Sequence, residues 1–599
     1  MVATDPAGDC RHFISGRFTN PKFCVLRFKT ADSMGLFRHS ELLQTENAEI
    51  RRTTRPRRFT ADPHHCCTLV ARLLSAAHSK VKGGCLMPSK RPTRPARRFS
   101  SMASVVAGTM ACALIAVTGV PADSPKRLDV AERANVVTLP TTIGFADSDI
   151  YGLSQDDVNR TLALMSNTRV TTIRLMIPWA GVEPLLGQLN WSMVDKTVNA
   201  AAAMNMSIIG FINATPPWAL SSGGLPLSSR PSDPDAYGAF AAKVAARYKG
   251  KIAAYEIWNE PNTVFFYTPL PDAAGYTDLL KSAYPRIKAV DPDATVIGAA
   301  LSSVVDFGSW SINPVRFLAG MYAAGAKGNF DALSFHPYNY NLKFSDGMLI
   351  ANSPVLQLVQ MRQLMIDNGD EEKKIWTTEY GEPTSVVNET TQAAYLHDIY
   401  TKWQEMPYTG PLMVYTTRDR TTGSKQADAT VGVYRSDWTP KPAAADLAAT
   451  IAAGVPKSPE FQRFSQITDP AHGSVLSPVF RATKTVWAQV RTINTIYEMP
   501  SGYVSSPRPV ADIAMQRNSV PASLFANGYQ DFSGGQVFRV WWSPETGAHW
   551  GSSAFAQAWK PQLGLATTDE HYVNGTNRID FQHGYMVWAP WVGVKVYYT

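Results

Sequence analysis

From about residue 138 onward, short apolar runs alternate with longer stretches whose apolar residues recur every three or four positions. The runs fall at 141–145, 172–177, 207–212, 252–258, 295–299, 332–335, 374–378 and 411–415. Amphipathic stretches lie between most of them, at 155–165, 191–204, 234–248, 273–290, 314–323, 355–367 and 390–405. Strand-length runs alternating with helix-length stretches predict parallel βα units. Eight such runs over about 300 residues predict an α/β fold of the (β/α)8 TIM-barrel type.

After about residue 450 the pattern changes. Helical periodicity gives way to Gly, Ser, Pro, Trp and short β-like runs, which predict a smaller β-rich or mixed C-terminal domain over 456–599. Trp542-Ser-Pro-Glu-Thr-Gly547 and Trp588-Ala-Pro-Trp-Val-Gly593 share the pattern W-x-P-x-x-G, and their first residues lie 588 − 542 = 46 positions apart. Each follows an aromatic and glycine cluster, Phe532-Ser-Gly-Gly535 and Phe581-Gln-His-Gly584. The spacing is that of small stacked modules.

Composition divides the chain at the same scale. Of 599 residues, 45% are hydrophobic, 18% charged and 11% aromatic, a globular composition that excludes a wholly disordered protein. The net charge of +8 is unevenly placed. Residues 1–122 carry 19 Lys and Arg against 7 Asp and Glu. That leaves 57 − 19 = 38 basic and 49 − 7 = 42 acidic residues in 123–599. The body is mildly acidic, so its bulk charge gives no case for a nucleic-acid partner. All six cysteines (Cys10, Cys24, Cys66, Cys67, Cys85, Cys112) precede residue 113. The body therefore has no disulfide, thiolate metal site or cysteine nucleophile. His64-His65-Cys66-Cys67 lacks a second ligand pair at a finger-like spacing.

The segment 87–122 has the layout of a secretory signal. Lys90, Arg91, Arg94, Arg97 and Arg98 precede an uncharged, Ala- and Val-rich stretch that ends in Val120-Pro121-Ala122. The stretch is long enough to remain as a membrane anchor, but its Gly, Ser and Thr content favours cleavage. A buried helix is the third reading. Residues 1–86 show no sustained periodicity. They read either as over-extended translation ahead of a start at Met87 or as a disordered tail.

Two places carry chemistry. An apolar strand runs through Tyr255-Glu256-Ile257-Trp258 into Asn259-Glu260, and Pro261 stops it. Another runs through Ile375-Trp376-Thr377-Thr378 into Glu379, followed by Tyr380-Gly381. Functional side chains of a βα barrel sit where strands end, and these are the fourth and seventh candidate strands. Two carboxylates there would face each other across the barrel mouth, the pair that glycosidic hydrolysis requires. Either glutamate alone would be unremarkable at a strand end.

Trp258-Asn259-Glu260-Pro261 together with Thr378-Glu379-Tyr380-Gly381 resembles glycoside hydrolase clan A, the retaining (β/α)8 glycosidases. Thr172-Ile-Arg174, Pro178-Trp179 and Val182-Glu183-Pro184 are similar to the second-strand region of that clan. Phe335-His336-Pro337-Tyr338 is similar to its sixth strand end, and Asp437-Trp-Thr-Pro-Lys441-Pro442 to its exit segment. The resemblance covers about 138–452. It is nearest to family thirty-nine-like and family five-like members, the former including β-xylosidases and exopolysaccharide hydrolases.

The resemblance implies that Glu260 is the general acid/base and Glu379 the nucleophile, with Asn259 bonded to the substrate 2-hydroxyl. These roles require Glu260 to hold a proton beside apolar neighbours such as Trp258, and Glu379 to stay ionised beside Arg174 and Tyr338. His336 reads as a sugar or supporting hydrogen bonder rather than a metal ligand. Trp179 and Trp218 are candidate sugar-stacking platforms, with core packing the alternative. Glu256 falls inside its strand and Glu382 in the following loop. Clan members often carry Trp near the end of the eighth strand, whereas this chain reads Met413-Val-Tyr415-Thr-Thr-Arg418-Asp419. The chemistry so implied needs no metal and no organic cofactor.

The C-terminal text Phe538-Arg-Val-Trp-Trp-Ser-Pro-Glu-Thr-Gly-Ala-His549, with Gln562-Leu563-Gly564-Leu565 and Phe581-Gln-His-Gly584, resembles LGFP repeats over 525–599. Leu-Ala stands where Phe/Tyr-Pro is usual. Such repeats occur on envelope proteins of mycolic-acid-bearing actinobacteria and are thought to hold proteins to the cell wall. A small β-domain capping the barrel is the alternative, and 456–524 has room for an earlier degenerate copy. The expectation is an exported retaining glycosidase acting on an envelope or extracellular polysaccharide or glycoconjugate. A transglycosylase using the same site, or a non-catalytic carbohydrate-binding scaffold, stands beside it.

Overall fold

The computed structural model describes residues 135–599. The cysteines, the His64–Cys67 cluster, the 1–86 stretch and the signal-like 87–122 lie outside the described residues. Within them, eight parallel strands close into a barrel in chain order. They are β1 (Ile143–Ala146), β2 (Thr172–Pro178), β3 (Ser207–Asn213), β4 (Ile252–Ile257), β5 (Thr295–Ser302), β6 (Ala332–His336), β7 (Ile375–Tyr380) and β8 (Thr409–Val414). Each overlaps one of the apolar runs read from the sequence.

The helices begin where short polar side chains can cap them. Ser154, Asp233, Asp272, Asn313, Ser353 and Asn388 each accept a hydrogen bond from a first-turn backbone N–H. Three of these caps are followed at once by proline (Pro234, Pro314, Pro354), whose missing N–H costs nothing at that position. Among the described residues no helix is long and apolar enough to cross a membrane.

Two layers of apolar packing hold the barrel. Ala146, Ile209, Ala254, Ile297, Ala332, Trp376 and Met413, one from each of seven strands, cluster inside it. The opposite faces of the strands join the helices in a larger core. Alternation along each strand produces this division, since successive side chains point to opposite faces.

Two strands break that alternation. The β5–β6 pairing shifts register between Gly298 and Leu301, where Ala299 and Ala300 take φ of 82° and 47°. The β7–β8 pairing shifts between Thr377 and Tyr380. Such irregularities re-aim side chains near sites, and here the second lets the successive residues Thr378 and Glu379 both reach the barrel mouth.

Beyond the helix Pro442–Ala452 come three antiparallel four-stranded sheets, spanning 480–507, 519–552 and 571–598. The two W-x-P-x-x-G stretches occupy equivalent hairpins, in which Ser543 pairs with Gly547 and Ala589 with Gly593. Both glycines adopt φ near +76° (77° and 75°), the left-handed conformation that a three-residue hairpin loop requires. The first sheet lacks the tryptophan but turns at the similar Met499-Pro-Ser-Gly502. A tandem array of three small modules thus follows the barrel, one more than the two matching motifs reveal.

Candidate active site

The site is built around a cation. Arg174 projects from β2 and is fully buried, which demands counter-charge and a full set of acceptors. Its Nε and Nη2 lie 2.6 Å from Glu256 Oε2, its Nη2 donates to Asn259 Oδ1 at 2.9 Å, and its Nη1 donates to Glu379 Oε1 at 2.7 Å. The guanidinium also lies over the Phe211 ring, 3.9 Å from its centroid. Burial disfavours its charge, but Glu256 and Glu379 outweigh that and push its pKa up. Ser334 Oγ donates to the other Glu256 oxygen at 2.6 Å, so neither oxygen of that buried carboxylate is left bare.

Glu379 receives a second donor, Tyr338 Oη, at 2.9 Å on Oε2. Its main chain leads directly into Gly381, where a Cβ would fall 1.8 Å from the Tyr415 carbonyl oxygen. Only glycine admits the close approach of β7 and β8 behind the carboxylate. Tyr415 itself is buried in the inner cluster with Tyr338 and Tyr340. It therefore does not replace, as an open platform, the tryptophan usual at the end of the eighth strand.

Glu260 lies across the mouth, just beyond β4, with a left-handed φ of 47°. Its backbone N–H donates to Ala300 O at 3.0 Å, which ties it to the irregular part of β5. Glu260 Oε1 is 2.9 Å from His336 Nδ1, and His336 Nε2 is 2.9 Å from Thr378 Oγ1. A neutral imidazole flanked by a carboxyl and a hydroxyl can donate from either nitrogen. It can therefore hold Glu260 whether that group is charged or protonated.

Glu260, His336 and Glu379 each place one ligand-capable atom within 4.8 Å of the others. These atoms are engaged with His336, Thr378, Arg174 and Tyr338, and the Arg174 guanidinium already supplies positive charge at the nucleophile side. The arrangement is satisfied by hydrogen bonds and an ion pair. Both carboxylates and His336 are buried, yet a cavity of about 380 Å³ opens beside Glu260, lined by the loops after β4, β5 and β6.

Residues 133–406 match the family model described as Cellulase (glycosyl hydrolase family 5). The matched stretch runs from just before β1 to just short of β8. Among solved structures, the chain is similar to a family 39 glycoside hydrolase from the gut symbiont Bacteroides cellulosilyticus WH2. The identity is 18% over 69% of this chain and 79% of that one, with a TM-score of 0.45. It is also similar to a monomeric β-xylosidase from Caulobacter crescentus CB15, with 17% identity, 61% and 74% coverage and a TM-score of 0.42. A third is GH5_18 from Streptomyces cattleya in complex with GlcNAc, with 14% identity, 55% and 82% coverage and a TM-score of 0.42. No curated protein matches the chain significantly.

Of the residues expected at the site, the structure brings together Glu260, Glu379, Asn259, Arg174, His336 and Tyr338. The two tryptophans pack against each other, the alternative that their sequence positions left open. Trp179 is 1% exposed and enclosed by Trp218, Tyr237 and Phe240, so it has no face left for a sugar. Trp218 is half-buried and packs edge-on against Trp179, 5.3 Å between centroids. Glu183 gathers this group, accepting from Trp179 Nε1 at 2.9 Å and from Gly187 N at 3.0 Å. Trp258 likewise packs against Tyr237 and Tyr267 in the outer core, so His336 is the neighbour that holds Glu260.

Three participants were not singled out from the sequence as part of the site. Glu256 had a signal: a buried arginine inside the apolar run Thr172–Pro178 needs more than one carboxylate. Ser334 and Thr378 had none, because small hydroxyl residues are common inside barrel strands.

Proposed function

We propose that this chain is an exported retaining glycoside hydrolase acting on an envelope or extracellular glycan or glycoconjugate. The observation that carries the reading is the facing pair. Glu260 and Glu379 offer oxygens within 4.8 Å of each other, a close approach that supports the short carboxyl separation of double displacement over the wider one of inversion.

In the first step Glu379 attacks the anomeric carbon. The bond to the leaving oxygen breaks, and that oxygen takes the Glu260 proton, giving a glycosyl ester and a free alcohol. In the second, Glu260 takes a proton from water, whose oxygen displaces Glu379 from the anomeric carbon. Arg174 and Tyr338 favour the charged form of Glu379 between turnovers. Because a guanidinium only donates, Arg174 fixes Asn259 Oδ1 toward itself and turns the amide N–H groups to the cleft, where a sugar 2-hydroxyl would accept. His336 holds Glu260 through both halves of the cycle.

Export rests on the basic and apolar layout of 87–122. Association with the cell wall rests on the likeness of the tail to LGFP repeats. The last module's exposed Tyr572, Trp591 and Tyr598 suit contact with a glycan surface.

The test uses residues 123–599, wild type and Glu379→Gln, on aryl glycosides and purified envelope polysaccharides, with products followed by NMR. Release with retained anomeric configuration, lost in the variant, supports the reading. Release with inversion overturns the mechanism. Absence of release, with equal wall affinity for both proteins, favours a binding scaffold. Products longer than the substrate point to transglycosylation at the same site.

A further inference from the structure

The cavity beside Glu260 offers more apolar than polar surface. Its lining is mainly apolar, with Phe265, Val305, Phe307, Trp310, Tyr340 and Ile350 among its walls. Phe307, Trp310 and Ile350 are 47%, 52% and 46% exposed, so a large part of each apolar side chain lies outside the core. Glu260 lines this cavity and Glu379 does not. The cavity therefore opens on the Glu260 side of the pair, with Tyr338, the donor to Glu379, also in its wall.

The walls are attached to the acid's own segment. Val264 N donates to Trp310 O at 2.8 Å and Ile312 N to Asn262 O at 2.9 Å, while Phe307 N and Ser311 O close the loop at 3.1 Å. Asn262 completes the clamp, donating through Nδ2 to Ser302 O and Ile312 O and accepting from Ser302 N. Gln357 Nε2 donates to Val304 O at 2.9 Å, joining the loop after β5 to the helix that follows the loop after β6. The apolar walls thus occupy a set position relative to Glu260.

We infer that this cavity receives an apolar aglycone. The substrate class is then a glycoside whose sugar is joined to an alkyl or other apolar group, as in a glycolipid, and the bond cut is the one between sugar and apolar alcohol. A second sugar there could bond to the serines and to Asn339, Asn341 and Asn352, but most of the wall offered to it is phenyl, indole and alkyl surface, which an alkyl or aryl group covers more completely. This deepens the proposed function and rests on Glu260 being the acid. A volume of about 380 Å³ suits a chain of moderate length or a ring, with any longer chain leaving through the mouth.

The experiment has two arms, both on residues 123–599. In the first, kcat/KM is measured for methyl, butyl, octyl and nitrophenyl β-glycosides of glucose, xylose, mannose and galactose, beside the β-linked disaccharide of the same sugar. The octyl compound is kept below its micelle concentration. For whichever sugar is cleaved, the octyl glycoside should exceed the methyl glycoside and the disaccharide by more than tenfold. The double variant Phe307→Ala, Trp310→Ala should lose most of that preference while still cleaving the methyl glycoside. Equal rates across the alkyl series, a preferred disaccharide, or an unchanged preference in the double variant overturns the inference and leaves the glycosidase reading standing.

The second arm measures calorimetric binding of methyl, butyl and octyl thioglycosides of the same sugars, which are not hydrolysed. Affinity should rise roughly fourfold per methylene while the chain is being buried, and the rise should flatten in the double variant. If nothing is cleaved but this slope is present, the cavity keeps its assignment and the hydrolase reading fails. If neither cleavage nor slope appears, both fail.

Discussion

Arg174 links the two acids of different duty, Glu256 and Glu379, with Nε 2.6 Å from the first and Nη1 2.7 Å from the second. Glu256 anchors the guanidinium, and the guanidinium in turn positions Glu379 and Asn259. Arg174→Lys replaces a planar fork by a point charge that cannot reach three acceptors at once. The expected result is a fall in kcat of about a hundredfold or more with a smaller change in KM, because Glu379 and Asn259 act most strongly in the transition state. Arg174→Met leaves Glu256 and Glu379 buried without their cation. By the usual cost of breaking a buried pair it should lose about 3–5 kcal/mol in urea unfolding.

In the first step Glu260 is needed only when the leaving oxygen needs a proton. In Glu260→Ala, kcat/KM for an alkyl glycoside should fall by about 10²–10⁴-fold, the usual worth of general acid catalysis. A dinitrophenyl glycoside, whose phenolate departs unprotonated, should lose far less in the first step and accumulate glycosyl-enzyme, seen as a burst. Equal losses on both substrates would remove Glu260 from the acid role.

The barrel was legible because its strands are buried on both faces and its helices on one, a contrast that survives in the bare order of apolar residues. The two catalytic candidates were legible because each ends such a run. What escaped depends on departures from regularity. Thr378 and Glu379 both serve the site because β7 slips register, and β5 continues to Ser302 past two alanines in left-handed conformations that carry no composition signal. Trp179 and Trp218 escaped for another reason: an indole near a strand end reads alike whether it faces the cleft or the helical layer.

That last distinction is testable at Glu183. Its carboxylate satisfies Trp179 Nε1 and Gly187 N, and its carbonyl accepts from Trp218 Nε1 at 2.9 Å. Glu183→Ala strands the buried indole N–H of Trp179, at a cost of about 1–3 kcal/mol, while the exposed Gly187 N–H can turn to water. The variant should unfold at distinctly lower urea while the folded fraction keeps its KM. Trp179→Phe should behave likewise. A rise in KM without loss of stability would restore the tryptophan to the sugar site.

Asp147, just beyond β1, is buried, and burial raises its pKa to about 6, helped by Asp149 and opposed by a hydrogen bond from Thr417. Its folded value thus lies above the unfolded 3.8. Between those values the folded chain binds more protons than the unfolded one, so stability falls as pH rises from about 4 to 6 and changes no further above. The penalty at neutral pH is on the order of 3 kcal/mol. Asp147→Asn keeps an acceptor for Ile150 N and removes the charge. It should raise the melting temperature at pH 7.5 by several degrees and leave it nearly unchanged at pH 4. A stabilisation independent of pH would assign the effect to packing instead.

The first of the three C-terminal modules is joined to the barrel more extensively than the second, of which only Val520 reaches the same apolar cluster. Leu476, Phe480, Val486, Val490 and Tyr497 belong to the same apolar cluster as the barrel's outer core. The join is also polar. Lys402 is bonded to Glu405, to Glu460 at 2.9 Å and to Val479 O at 3.1 Å, and Glu405 Oε2 accepts from Val479 N at 2.7 Å. Burial raises the Glu405 carboxyl despite Lys402 beside it, so the pair is costly to leave half-made. The third module, by contrast, has its own core around Trp541, Phe555, Ile579 and Met586, shared with the second. Truncation after residue 507, at the end of the first sheet, should therefore leave a barrel with near wild-type melting temperature and aryl-glycosidase activity, impaired only in retention on wall material. Truncation after residue 452 uncovers an apolar face and orphans Lys402 and Glu405, and should give a protein that melts several degrees lower or aggregates. Equal melting temperatures for the two truncations would show that the first module hangs from the barrel as loosely as the others.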